Sequence, residues 1–254
     1  MKFKKIAVLL GAFTIASSLF IAGCGNTGST QKAWRVGTDA TYAPFGFKDK
    51  DSGKLAGFDI DIINAIAQEE GVEADVQNLN FDALLPALQS NTIDIAISDM
   101  TISEDRAKSV DFSKPYYIAG NGLVVNIDNT NINSFKDLEG KRIGVSIGST
   151  GAEIASKIPN ADVRQFNLIV DAFLELQNRG VDVVINDTPV NEYYVNSKGK
   201  GIAKVTGEDY DAAPLGIAVK KGNTELLDAI NASIANLKES GKLDEIVEKY
   251  ITAE

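Results

Sequence analysis

The chain has 254 residues, 44% of them apolar, with 25 Lys and Arg against 35 Asp and Glu for a formal net charge of −10. That length builds one large domain or two lobes of ordinary size. With no His and one Cys, the sequence lacks the usual zinc and haem ligands, the commonest general base and any internal disulfide framework. Metal and triad chemistry are therefore not expected, and neither is a cofactor. The acidic balance disfavours nucleic acid and anionic lipid, which bind through clustered Lys and Arg.

Lys2, Lys4 and Lys5 precede an apolar run from Ile6 to Ala22 that closes in small residues before Cys24. This is the arrangement of an exported protein's signal peptide. The segment "IAGC", Ile21 to Cys24, resembles the lipobox of bacterial lipoproteins, in which the Cys becomes the lipidated first residue. Read instead as one transmembrane helix, the run would leave the chain's single Cys unexplained. Residues 1–24 are thus expected to be a lipoprotein signal peptide. Residues 25–33, rich in Gly, Ser, Thr and Asn, read as a flexible tether. A body beginning near Trp34 comes next. Residues 1–24 hold three Lys and no acid, so 22 basic face 35 acidic residues beyond them.

In that body "WRVGTDA" (34–40) reads as a strand and "GFDIDIINAIAQEEGV" (57–72) as an amphipathic helix ending at Gly71. "EADVQNL" is a second strand, "FDALLPALQSN" (81–91) a helix and "TIDIAISD" a strand. The order then repeats: "KRIGVSIG" (141–148) strand, "GAEIASKI" helix, "ADVRQF" strand, "VDAFLELQNRG" (170–180) helix, "VDVVIND" strand. Alternating strands and helices predict a parallel α/β sheet in each half. Buried parallel strands are Val/Ile-rich anywhere, which would account for the apolar letters alone. It would not account for Asp94 matching Asp182, for Ser-Asp matching Asn-Asp at the strand ends, or for "DALLPALQ" matching "DAFLELQ". Two similarly built α/β lobes are expected.

Ligands of open α/β sheets bind beyond the carboxyl ends of the strands. Asp39, Asp99, Asp187 and the Ser149-Thr150 pair all stand at such ends, so two facing lobes would bring them to one cleft. Ser103 reads as the N-cap of a helix in which Arg106 falls in the first turn. A guanidinium there opposes the helix dipole and invites a carboxylate; a surface ion pair with Asp105 or Asp111 is the plainer alternative. "GSTGAE" (148–153) places Ser149 and Thr150 at a helix start, where anions bind. It is too short for a phosphate loop, and one carboxylate is a better-sized guest. An α-amino acid would offer its carboxylate to Arg106, Thr101 and the Ser149-Thr150 amides, and its ammonium to Asp187. Asp187 could instead serve only to cap the helix begun by Thr188 and Pro189, read as N-cap and N1. Tyr42 and Phe81 could clamp the side-chain stem, although Phe81 in isolation would more often be core.

The segments "GTDATYAPFGF", "GFDIDIINAIA", "FDALLPALQSNTIDIAISDMTISEDR", "VDFSKPYY", "GKRIGVSIGSTGAE" and "VDVVINDTPV" are similar, in order and spacing, to the extracellular amino-acid-binding proteins of ABC importers. The resemblance runs from about Trp34 to Tyr250. It implies a two-lobed periplasmic-binding fold, each lobe a mainly parallel sheet flanked by helices, joined by two crossovers near Ala119 to Val124 and Ala212 to Gly216. Lobe 1 would comprise residues 34–119 and 215–254, and lobe 2 residues 120–214. The resemblance makes Asp187 the ammonium partner, Arg106 the carboxylate clamp, Tyr42 and Phe81 the aromatic sandwich and Asp39 a side-chain reader. Ser98, Thr101 and Thr150 become further hydrogen-bonding positions. Glutamine-binding relatives commonly carry a small residue at Asp99, a Lys near Ile147 and a His at Asn186, and this chain has none of them, although "RQF", "DTP" and "PALQ" look closest to that branch. Counting charge points the other way, since Asp39, Asp99 and Asp187 against Arg106 favour a basic ligand on condition that Asp99 faces inward.

The resemblance thus implies binding of a free polar or basic L-amino acid by closure of the lobes, with delivery to the membrane permease of an ABC importer by a lipid-anchored monomer in the cell envelope. A cyclohexadienyl-dehydratase-like enzyme is the rival reading, with Asp99 as general acid. A receptor's sensory domain is the third.

Overall fold

The computed structural model describes residues 33–252, so the signal, Cys24 and nearly all of the tether lie outside the described residues. Among those described, no helix is long and apolar enough to cross a membrane. The chain opens with β1 (Ala33–Thr38), β2 (Thr41–Tyr42), β3 (Gly46–Lys48), β4 (Leu55–Ala56), α1 (Phe58–Glu69), β5 (Glu73–Asn78), α2 (Phe81–Gln89) and β6 (Ile95–Ala96). A one-turn helix α3 (Glu104–Ala107), β7 (Val110–Phe112) and the long β8 (Tyr117–Asn126) lead into the second half. That half holds β9 (Arg142–Ser146), α4 (Thr150–Ser156), β10 (Asp162–Phe166), α5 (Ile169–Gln177), β11 (Val183–Asp187), α6 (Thr188–Asn196) and β12 (Ala203–Leu215). The chain closes with β13 (Ala218–Lys220), α7 (Thr224–Glu239) and α8 (Lys242–Tyr250).

Two five-stranded sheets result, ordered β5-β1-β6-β13-β7 and β10-β9-β11-β8-β12. In each, the first three strands are parallel and the fourth enters antiparallel. The repeated Asp has a structural cause. Arg35 donates from its backbone N and Nε to Asp94 Oδ2, both at 3.0 Å, and from Nη2 to Oδ1 at 2.6 Å. Arg142 treats Asp182 alike, at 2.9, 3.1 and 2.6 Å. The same carboxylate therefore ties β1 to the chain entering β6 and β9 to the chain entering β11, fixing their parallel register.

"TIDIAISD" is shorter as a strand than its letters suggest, reaching ladder pairing only at Ile95–Ala96. Ile97 N–H still reaches Gly37 O at 3.1 Å, but the chain turns at Asp99, whose φ is 48°. Behind the first sheet, α1 buries Phe58, Ile62, Ile63 and Ile66. The closing helices α7 and α8 return to pack on α1, joined by Ser233 Oγ to Glu70 at 2.9 Å and Lys249 Nζ to Asp61 at 2.7 Å. The two passages between the sheets run side by side, with Tyr117, Ile118 and Ala119 facing Leu215, Pro214 and Ala213. Register shifts interrupt β12 between Thr206 and Ala213.

Candidate functional site

The carboxyl ends of β1, β6, β9 and β11 meet at one hollow. Asp39, Tyr42, Phe81, Ser98, Asp99, Thr101, Arg106, Ser149, Thr150 and Asp187 line it, so all ten residues singled out from the sequence come together. Ser146, the last residue of β9, also lines it and was missed. Its signal was its place at a strand's carboxyl end. A wider hollow of about 570 Å³ lies beside Phe47, Val170 and Tyr193, but the ionisable groups around it, such as Lys48, Asp51 and Lys198, are exposed. Buried charge belongs to the smaller one.

Arg106 is 7% exposed. Its Nη1 donates to Thr101 O and its Nη2 to Gly148 O, both at 2.9 Å, and the guanidinium carbon stands 5.2 Å from the centre of the Phe81 ring. The surface-pair alternative fails because Asp105 pairs with Lys108 and Asp111 with Lys221. Burial lowers the Arg106 pKa, with Glu153 and Asp187 working against that. Phe81 begins α2 beside this cation rather than disappearing into the core, so it forms one flat wall of the hollow.

Asp187 is the N-cap of α6, one residue earlier than the Thr188 cap expected from the sequence, and its side chain makes no capping bond. The backbone alone starts the helix, with Pro at its first turn. The freed carboxylate accepts the Tyr42 hydroxyl at 2.6 Å, and Asn186 Oδ1 accepts it as well. Asn186 is thus a second residue the sequence reading did not place in the site. Tyr42 comes from the first half of the chain and Asp187 from the second, as do Arg106 and Gly148, so the polar groups themselves bridge the walls. The space left between them is about 20 Å³. That suffices for a water and not for an amino acid, so entry requires the walls to part.

Asp39 is held by its neighbours. Its Oδ1 accepts the Thr41 N–H at 2.9 Å and hydroxyl at 2.7 Å, while its own N–H donates to Ser98 Oγ at 3.0 Å. Burial raises its pKa and the Thr41 bonds oppose that. Opposite, Ser149 caps α4, accepting Ala152 N–H at 3.1 Å and donating to Ser146 O at 2.8 Å. Thr150 Oγ1 meets Asn121 Nδ2 at 3.4 Å.

Asp99 differs from all of these. It is 4% exposed, and neither carboxyl oxygen receives an N–H or O–H. Its backbone N–H is taken at 2.7 Å by Asp59 Oδ2, and Asp59 Oδ1 in turn accepts the Tyr116 hydroxyl at 2.9 Å. Asp59 is fully buried on α1, and desolvation pushes its pKa up to about 7. Desolvation, then the Asp187 charge, raises Asp99 well above the carboxylate range. Burial raises the Asp187 pKa as well, with the Tyr42 hydroxyl and the Arg106 charge working against that.

Residues 34–253 match the model of the bacterial extracellular solute-binding proteins, family 3. The L-arginine-binding protein of Pseudomonas aeruginosa is 37% identical over 259 residues, covering 98% of this chain and 97% of that protein. An ancestral arginine-binding protein, solved with arginine and with glutamine, is 44% identical over 87% of this chain and 98% of its own, with TM-scores of 0.83 and 0.81. An ancestral amino acid-binding protein described as a precursor of cyclohexadienyl dehydratase is 39% identical over 86% of this chain and 95% of its own, with a TM-score of 0.80. With nearly the whole body matched, this chain belongs to the bacterial extracellular solute-binding proteins, family 3.

Proposed function

We propose that the protein binds a basic L-amino acid, arginine foremost, in the hollow between its lobes and hands it to the permease of an ABC importer. Arg106 takes the ligand carboxylate with help from Thr101 and the start of α4. Asp187 takes the ammonium, Tyr42 and Phe81 flank the stem, and Asp39, fastened by Thr41, meets the far end of the side chain. The observation that carries this reading is the inward, buried placement of Asp99. With it, three carboxyl groups face one guanidinium, and burying that excess costs several kcal/mol unless a cation or a proton offsets it. Ligands in related structures fit the same size class, since the ancestral arginine-binding protein is solved with arginine and with glutamine. The likeness to a dehydratase precursor is a likeness to an amino-acid-binding ancestor, and the ammonium acceptor Asp187 suits binding better than turnover.

Residues 34–119 with 215–254, and 120–214, are taken as the lobes that part and close as a monomer. A thermal-shift screen against the common amino acids tests the reading, because a ligand of the native state alone raises the melting point by mass action. Arginine and lysine are expected to give the largest shifts, with glutamine smaller; a shift for glutamine alone would reject the basic-ligand assignment. Export and lipid attachment at Cys24 belong to the same proposal, supported by "IAGC" and the extracellular family. Labelled palmitate incorporated by the wild type and not by Cys24→Ser checks it, and equal labelling of both would reject it.

A further inference from the structure

Charge balance alone does not explain how Asp99 and Asp187 coexist before a ligand arrives. Both residues line the same hollow of about 20 Å³ and each bears on the other's ionisation, yet no protein N–H or O–H reaches either oxygen of Asp99. Two ionised carboxylates in that position repel, and low dielectric makes the repulsion large. The contact becomes attractive when one carboxyl carries a proton and donates it to the other. We propose that Asp99 and Asp187 form a carboxyl pair that holds one proton between them until the ligand's ammonium replaces it, so that amino-acid binding releases a proton and the site selects for a cation at that end. This rests on the amino-acid-binding function.

The surroundings fit a proton held on Asp99. Asp59 on α1 adds a further acid behind the pair, its oxygens already occupied by Asp99 N–H and Tyr116 Oη. Tyr42 on β2 donates to Asp187, which leaves the charge there and the proton on Asp99. Burial raises the pKa of Tyr116, ahead of β8, and of Tyr117, at its start, so neither brings a charge to the pair. Arg106 on α3 acts on both members of the pair and favours their ionised forms. An ammonium arriving between the carboxyl groups adds a second positive charge and three N–H donors, enough to satisfy both. The O–H bond of Asp99 then breaks, its proton passes to solvent, and the ligand's N–H groups take over the acceptors.

Linkage fixes the direction of the pH dependence. The bound state carries fewer protons than the free state below the pKa of the pair, so affinity rises with pH there and levels off above it. One proton displaced corresponds to about a tenfold gain in affinity per pH unit.

Asp99 is also a residue that can be exchanged cleanly. Its φ of 48° lies in the left-handed region, which Gly and Asn both adopt readily. Calorimetric titration of L-arginine into the full chain, in buffers of different ionisation enthalpy and from about pH 5 to about pH 8, reads the proton count directly. Wild type is expected to release close to one proton per arginine at the acid end and progressively less above, with the tenfold slope in affinity. Asp99→Asn and Asp99→Gly, which remove one acceptor of the ligand's ammonium, are expected to bind arginine more weakly than the wild type does at about pH 8, with no proton release and a flat pH profile. Binding with no release in the wild type, or with equal release in wild type and Asp99→Asn, overturns the carboxyl pair alone. Absence of arginine binding at every pH overturns the functional reading and this inference with it.

Discussion

Arg106→Ala is expected to weaken amino-acid binding by about 100- to 1,000-fold, the loss seen when one partner of a buried, hydrogen-bonded charge pair is removed. The guanidinium is buried and already aimed, because Thr101 O and Gly148 O each accept one of its N–H groups and the Phe81 face lies beside it. A ligand carboxylate therefore meets donors whose geometry is set in advance, and the remaining N–H groups suit the two-point contact that carboxylates favour. Arg106→Lys is not a substitute, since an ammonium cannot keep both carbonyl bonds and still offer a planar pair of donors. Arg106 also joins the two halves of the chain through Gly148, so the alanine variant should open more readily as well as bind less tightly. Unchanged calorimetric affinity in a variant with wild-type circular dichroism would remove the guanidinium from the site.

Much of this arrangement is legible in the sequence for a simple reason. Parallel α/β sheets present functional groups at strand ends, so finding the strands finds the candidates. Asp39, Asp99, Ser149, Thr150 and Asp187 are all located that way, and they converge on one hollow. The repeat is legible for a different reason, since Asp94 and Asp182 recur because each sheet needs the same Arg–Asp tie. Relations between distant segments escape. That Asp59, forty residues before Asp99, takes its backbone N–H is a tertiary fact with no local signature. The sequence also offers two uses for Asp187, as cap or as site residue. The structure shows the residue at the cap position with its carboxylate directed elsewhere, a distinction set by rotamer and not by residue type. Ser146 escapes because β9 ends there, two residues short of the strand read from the sequence, and Asn186 because its partner, the Tyr42 hydroxyl, arrives from a distant segment.

Gly57→Ala should produce the largest loss of stability of any single methyl addition to the site's scaffold. Gly57 has φ 135° and ψ 173°, a region open essentially to glycine alone. A Cβ built there would lie 2.2 Å from Phe45 O and 2.7 Å from Phe45 C, backbone atoms that no rotamer change can move. Neighbouring carbonyls start the helix: Pro44 O accepts Phe58 N–H at 2.9 Å and Phe45 O accepts Asp59 N–H at 3.0 Å. Backbone strain and the clash together are expected to cost about 3 to 5 kcal/mol, lowering the melting point by about 10 °C or more for a body of this size. Gly53→Ala separates the two causes, because Gly53 also has positive φ, at 69°, but nothing lies within 4 Å of its added Cβ. It should cost only about 1 to 2 kcal/mol. Equal losses in the two variants would leave no role for the Phe45 carbonyl. The clasp also has a functional consequence. Displacing the start of α1 moves Asp59, and with it the turn that presents Asp99, while displacing the Pro44–Phe45 loop moves Tyr42. Arginine affinity in the folded fraction of Gly57→Ala should therefore fall, whereas Gly53→Ala should bind as the wild type does.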